Sequence, residues 1–96
     1  MAKGYWIAQN DVKDLEIYKK YLAGTGAVFE KYGAKFLARG GRHQAMQGNI
    51  RSRHVVIEFE SFEKAVACFE SPEYQEAAKY RLAAAEGDIV IVEGVA

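Results

Sequence analysis

The stretch His54–Gly94 constrains the fold of this chain most, because it sets out strand, helix, helix and strand with a start signal for each. Arg53–Glu60 alternates like a strand, with Val55, Ile57 and Phe59 on one face and His54, Val56 and Glu58 on the other. Ser61 is placed to cap a short helix whose apolar face is Phe62, Ala65, Val66 and Phe69. Ser71-Pro72-Glu73 then restarts a helix. It supplies a capping hydroxyl, a proline whose missing N–H costs nothing in the first turn, and an acid against the positive dipole end. That helix is expected to end near Gly87, leaving Asp88–Glu93 as the last strand.

The N-terminal half follows the same logic. Gly4–Asn10 alternates Tyr5 and Ile7 with Trp6 and Ala8, so both faces are apolar and the strand is expected to be covered on both sides. Asp14 is a suitable N-cap for a helix running to about Tyr32, with Leu15, Tyr18, Leu22, Phe29 and Tyr32 at helical spacing. Gly24 and Gly26 imply a bend or a close approach to the sheet, and Gly33 is a natural stop. Lys35–Ala38 starts a second strand, with a bulge or kink at Gly40-Gly41. His43–Gln47 is expected to continue that strand to a turn at Gly48-Asn49.

The resulting order is β-α-β-β-α-β, the ferredoxin-like α+β arrangement of a four-stranded antiparallel sheet with helices on one face. Helices in this order cover one face only. The first and last strands nevertheless carry apolar residues on both, with Tyr5, Ile7, Ile89 and Ile91 set against Trp6, Ala8, Val90 and Val92. A second copy of the chain is the simplest cover, so a homodimer is expected.

At 96 residues the chain reads as a single domain spanning 1–96, and 50% apolar residues provide for a core. The 13 basic and 13 acidic residues cancel, and the basic ones form no stripe of the kind a nucleic-acid binder needs, so no nucleic-acid partner is expected. Cys68 is the sole cysteine, which excludes an internal disulfide and a multi-cysteine metal site. The opening residues are too polar for a signal peptide, and no apolar run approaches the ~20 residues that cross a bilayer. A cytoplasmic protein with no membrane partner is the expectation.

Glu58 is the residue most suggestive of chemistry, being a carboxylate in mid-strand. In a sheet covered on both sides it must be paired or have its pKa raised. Arg39 or Arg42 is the expected partner, with the register after Gly40-Gly41 deciding which. Two roles stay open for Glu58: a structural one, as a buried ion pair or a wet edge near the barrel mouth, or a general base or ligand anchor beside an arginine that binds a carboxylate or enolate. His54 is a candidate proton carrier next to it. Tyr74 and Arg81 project from one face of the last helix around Ala77 and Ala78, and either line a ligand pocket or make a close contact with the sheet. Trp6 is a candidate pocket wall, or else part of the core or the dimer interface. His43 and His54 lack the further ligands a metal site needs, and no metal or other cofactor is expected. Cys68 reads as a semi-buried structural thiol rather than a nucleophile. No phosphate loop, GxSxG or HExxH pattern is present.

Taken together, Gly4-Tyr5-Trp6, Arg39-Gly40-Gly41, Val56-Ile57-Glu58-Phe59, Ser71-Pro72-Glu73-Tyr74, Arg81 and Val92-Glu93-Gly94 resemble the domain of unknown function 1330 family over nearly the whole chain. Phe69 stands where that family more usually has tyrosine. The resemblance implies a dimeric α+β barrel and brings no established activity or catalytic residues. The wider barrel group includes cofactor-free monooxygenases, muconolactone-type isomerases, haem-processing enzymes and stress-response proteins, whose sites often lie between sheet and helices. By that analogy the chain is expected to be a homodimer binding a small aromatic or carboxylate-bearing molecule, with Glu58 or His54 as the proton carrier if it is an enzyme. Trp6, Arg39, Arg42, Tyr74 and Arg81 would then form the ligand site. The competing expectations are a non-catalytic binding or stress-associated dimer, and a small subunit docked on a larger enzyme.

Overall fold

A computed structural model describes residues 2–96. The elements are β1 (Gly4–Val12), α1 (Leu15–Lys31), β2 (Lys35–Arg39), β3 (Arg53–Phe59), α2 (Phe62–Glu70), α3 (Pro72–Ala84) and β4 (Ala85–Glu93). The antiparallel sheet has the order β2-β3-β1-β4, which is the ferredoxin-like fold with its helices on one face. Among the described residues no helix is long and apolar enough to cross a membrane.

The caps anticipated from sequence are in place. An Asp14 carboxylate oxygen accepts from the Ile17 N–H at 3.1 Å, and Ser61 Oγ accepts from the Lys64 N–H at 3.1 Å. Ser71 does more than cap. Its Oγ accepts from the Tyr74 N–H at 3.2 Å and donates to the Cys68 carbonyl at 2.7 Å, so one buried hydroxyl ends α2 and starts α3.

Strand pairing decides which side chains share a face. Trp6 lies opposite Ile57 and Ile91, Ala8 opposite Val55 and Ile89, and Asn10 opposite Arg53 and Gly87. All of these point toward the helices, where they meet Tyr18, Tyr21, Val28 and Phe29 of α1 and Tyr74 and Ala77 of α3. The other face carries Tyr5, Ile7, Val56, Glu58, Val90 and Val92 with no helix over it. Ile7, Val90 and Val92 are accordingly 44%, 56% and 42% exposed.

Four expectations need correction. His43–Gln47 is not strand; β2 stops at Arg39 and residues 40–52 run irregularly. The bulge falls at Leu37, between Phe36 and Ala38, rather than at Gly40-Gly41. Gly40 instead ends the strand at φ 64°, a conformation that favours glycine, with its N–H on the His54 carbonyl at 2.8 Å. α3 ends at Ala84 without a glycine, because the Ala84 carbonyl accepts from the N–H groups of Lys13 and Asp14 at 2.7 and 3.0 Å. That junction lets β1 and β4 pair as far as Val12 and Ala85. Finally, Leu15 is 58% exposed while Tyr21, Thr25 and Val28 take core positions. Gly24 does allow a close approach, but to α3: a Cβ there would lie 3.2 Å from the Ala77 Cβ.

Arg51 fastens the irregular segment to the end of the sheet. Its Nη1 and Nε donate to Asp11 and Asp88 at 3.0 and 3.1 Å, and the Ser52 N–H donates to Asp11 at 2.9 Å. The Ser52 backbone bond, followed by Arg51, holds the Asp11 carboxyl below its ordinary pKa.

Candidate functional site

A cavity of about 40 Å³ lies between the sheet and the helices. Its apolar walls include Trp6, Phe29, Phe36, Ile57 and Ile89, and its polar lining is Asn10, Tyr18, Tyr21, Thr25, Arg39, Arg53 and Arg81. Local sequence explains how these converge. Asn10 continues the inward alternation of Trp6 and Ala8, and Arg53 begins the inward alternation of Val55 and Ile57. Tyr18, Tyr21 and Thr25 follow the i, i+3, i+7 stripe of α1. Arg81 lies one helical repeat beyond Tyr74 and Ala77–Ala78 on the buried side of α3.

Arg81 is 9% exposed, and its Nε and Nη2 both donate to Asn10 Oδ1. Gly87 makes room for this pair, since a Cβ there would strike Asn10 Oδ1 and stand 2.9 Å from Arg81 Nη2. The Arg53 guanidinium carbon sits 5.9 Å from the Tyr18 ring centre, and among the described residues its buried Nε has no hydrogen-bond partner. Arg39, at the exposed edge, stacks its guanidinium 4.2 Å above the Phe36 ring centre. Among the described residues no carboxylate lies within 4.0 Å of the Arg39, Arg53 or Arg81 guanidinium nitrogens.

The Tyr21 and Tyr74 hydroxyls are hydrogen-bonded at 2.9 Å. Burial raises the pKa of both; at Tyr21 the Tyr74 contact raises it further, whereas at Tyr74 that hydrogen bond acts the other way. Both phenols therefore stay protonated at neutral pH. The Cys68 thiol, on the buried side of α2, is pushed up to about 12 by desolvation, which leaves it inert.

The residues singled out from sequence fall into separate groups. Trp6, Arg39 and Arg81 line the cavity, and Tyr74 supports it through Tyr21. Arg42 is exposed in the irregular segment. Glu58 and His54 lie on the opposite, open face, so within one protomer they do not meet the other group. Glu58 faces Lys35 and Tyr5 rather than Arg39 or Arg42, and the Tyr5 hydroxyl donates to it at 3.3 Å. The His54 ring lies 4.7 Å from that of His43, and among the described residues its buried Nε2 has no partner. Among the described residues no cluster of three or more His, Cys, Asp or Glu side chains could hold a metal ion. Sequence reasoning missed Asn10, Tyr18, Tyr21, Thr25 and Arg53 as site residues. The signal available was a polar residue in phase with an apolar strand face, at Asn10 and Arg53 alike.

The DUF1330 family, described as a domain of unknown function, has a sequence model that matches residues 3–95. The chain belongs to this family. No curated protein matches it. Among solved structures, this family member is similar to a protein of unknown function from Rhodopseudomonas palustris, with a TM-score of 0.80 at 20% identity over 99% of this chain and 84% of that one. It is also similar to a dimeric protein of unknown function and ferredoxin-like fold from Bacteroides fragilis, with a TM-score of 0.62 at 15% identity over 95% of each chain. SnoaB, a cofactor-independent oxygenase from Streptomyces nogalater, gives a TM-score of 0.62 at 11% identity over 100% of this chain and 96% of that one. At these identities the likeness is one of fold.

Proposed function

We propose that this protein is a homodimer that binds a small organic molecule in the sheet–helix cavity of each subunit. The observation that carries the reading is the convergence of Arg53, Arg81 and tyrosine hydroxyls on a space otherwise walled by aromatic and aliphatic side chains. The cavity is smaller than the ~150 Å³ that encloses a benzene ring, so a ligand of that size displaces side chains on entry. Arg39, exposed over Phe36 at the sheet edge, is the one that moves at least cost. The lining offers hydrogen-bond donors and neither carboxylate nor imidazole, which supports binding ahead of general-base chemistry. Glu58 and His54 would serve a proton transfer only to a molecule held against the open face.

Trp6 is the only tryptophan and lines the cavity, so its fluorescence reports on this site alone. A panel of small aromatic acids and phenols is expected to include compounds that change its emission saturably. If none does, a structural dimer becomes the better reading.

The dimer is supported by the open apolar face and by the Bacteroides fragilis neighbour, which is described as dimeric. A two-fold contact of that face would bring copies of Ile7 near one another. Light scattering should therefore give twice the chain mass for the wild type and a single-chain mass for Ile7→Glu. A wild type that stays monomeric at micromolar concentration removes the dimer.

A further inference from the structure

If the cavity is the binding site, as proposed above, its charge and geometry narrow what it takes. We infer that the recognised group is a carboxylate, held by the guanidinium groups of Arg81 and Arg53, on a flat apolar body lying against the aromatic walls.

The first argument is charge. A guanidinium cannot be deprotonated in a protein, so burial leaves Arg81 positive. Elsewhere the chain neutralises even a partly exposed arginine: Arg51 has Asp11 and Asp88 within 3.1 Å. Among the described residues Arg81, more deeply buried, has only the neutral amide oxygen of Asn10, and Arg53 in the same lining has a buried Nε with no acceptor. Three arginines, Arg39, Arg53 and Arg81, thus line one space, and among the described residues that lining holds no acid. An anionic ligand completes that arrangement, and a neutral one leaves it uncompensated.

The second argument is the guanidinium edge. Asn10 Oδ1 takes Nε and Nη2 of Arg81, which occupies the side-on edge of the fork. The end-on edge, formed by Nη1 and the second Nη2 hydrogen, is left for the two oxygens of a carboxylate. Asn10 is thereby a positioning residue that orients Arg81 without cancelling its charge. The small cavity and the rings of Tyr18, Phe29 and Phe36 favour a planar anion over a tetrahedral one.

The same arginines would also attract a phosphoryl group, so the test carries both. Trp6 emission would be followed at neutral pH with benzoate, with benzamide as its neutral isostere, and with phenylphosphonate. The wild type should bind benzoate at least ten-fold more tightly than benzamide, and more tightly than phenylphosphonate. In Arg53→Gln, with circular dichroism unchanged, the benzoate preference should fall toward one-fold. Arg53→Lys, which keeps the charge without the fork, should fall between the two and stands in if Arg53→Gln does not fold. Equal binding of benzoate and benzamide would overturn the carboxylate while leaving the cavity as a binding site. Tighter phenylphosphonate binding, or a preference untouched by both Arg53 variants, would overturn it as well. No response to any probe would remove the binding site and the carboxylate together.

Discussion

Trp6→Ala should cost about 3–5 kcal/mol of folding free energy, the range for truncating a buried large aromatic residue. Trp6 is 2% exposed and sits where the layers meet. Its ring centre lies 5.0 Å from Tyr74, 5.3 Å from Phe29, 5.6 Å from Phe59 and 5.7 Å from Phe69, which joins β1 to α1, β3, α2 and α3. Its indole N–H donates to the Ala65 carbonyl at 2.9 Å, a buried bond between sheet and α2. A chain of this size has only about 5–14 kcal/mol of stability, so the variant should be marginal or unfolded. Urea denaturation followed by circular dichroism measures this without the lost fluorophore. Trp6→Phe keeps a ring and forfeits the hydrogen bond, and should cost about 1–2 kcal/mol for the lost bond and the smaller ring. A loss below about 1 kcal/mol for Trp6→Ala would mean that these ring contacts do not hold the layers together.

Asn10→Ala should cost about 2–3 kcal/mol, because it strips the Arg81 guanidinium of its buried acceptor. The Asn10→Leu/Arg81→Met double variant should come back to within about 1 kcal/mol of the wild type, since apolar residues of similar volume replace a buried charge and its partner. Denaturation of both variants and of wild type gives the comparison. Recovery in the double variant would show that the pair is not needed for stability, as expected if Arg81 serves a ligand. A double variant less stable than Asn10→Ala would make the pair a structural tie and count against the binding site. Gly87 belongs to the same unit, because a methyl group there would collide with both side chains.

Much of the fold was legible because its signals are local. The caps at Asp14, Ser61 and Ser71 satisfy backbone donors within three residues, and the β-α-β-β-α-β order follows from where those caps fall. Trp6 and Arg81 were legible as site candidates, being an aromatic and a cation on elements expected to be covered. Tyr18 and Tyr21 were hidden among other apolar residues of α1, where period alone does not separate a cavity wall from a core contact. The irregular course of 40–52 was also out of reach. It depends on Arg51 finding Asp11 and Asp88, which are 40 and 37 residues away in sequence.

The two-residue period of each strand was set by sequence alone: Trp6, Ala8 and Asn10 share one side of β1, and Val55, Ile57 and Phe59 share one side of β3. Which face the helices cover, and what stands opposite each residue, came only from pairing between strands far apart in the chain. The Leu37 bulge shows how much rests on this. It shifts the β2 register by one residue, so Arg39 lies opposite Val55 on the helix side while Lys35 faces Glu58. Unbulged pairing would have set Arg39 opposite His54, on the open face with Glu58, close to the arrangement expected from sequence. A one-residue slip reverses the side of every residue that follows, and its position is decided by packing across the sheet rather than by the residues within the strand.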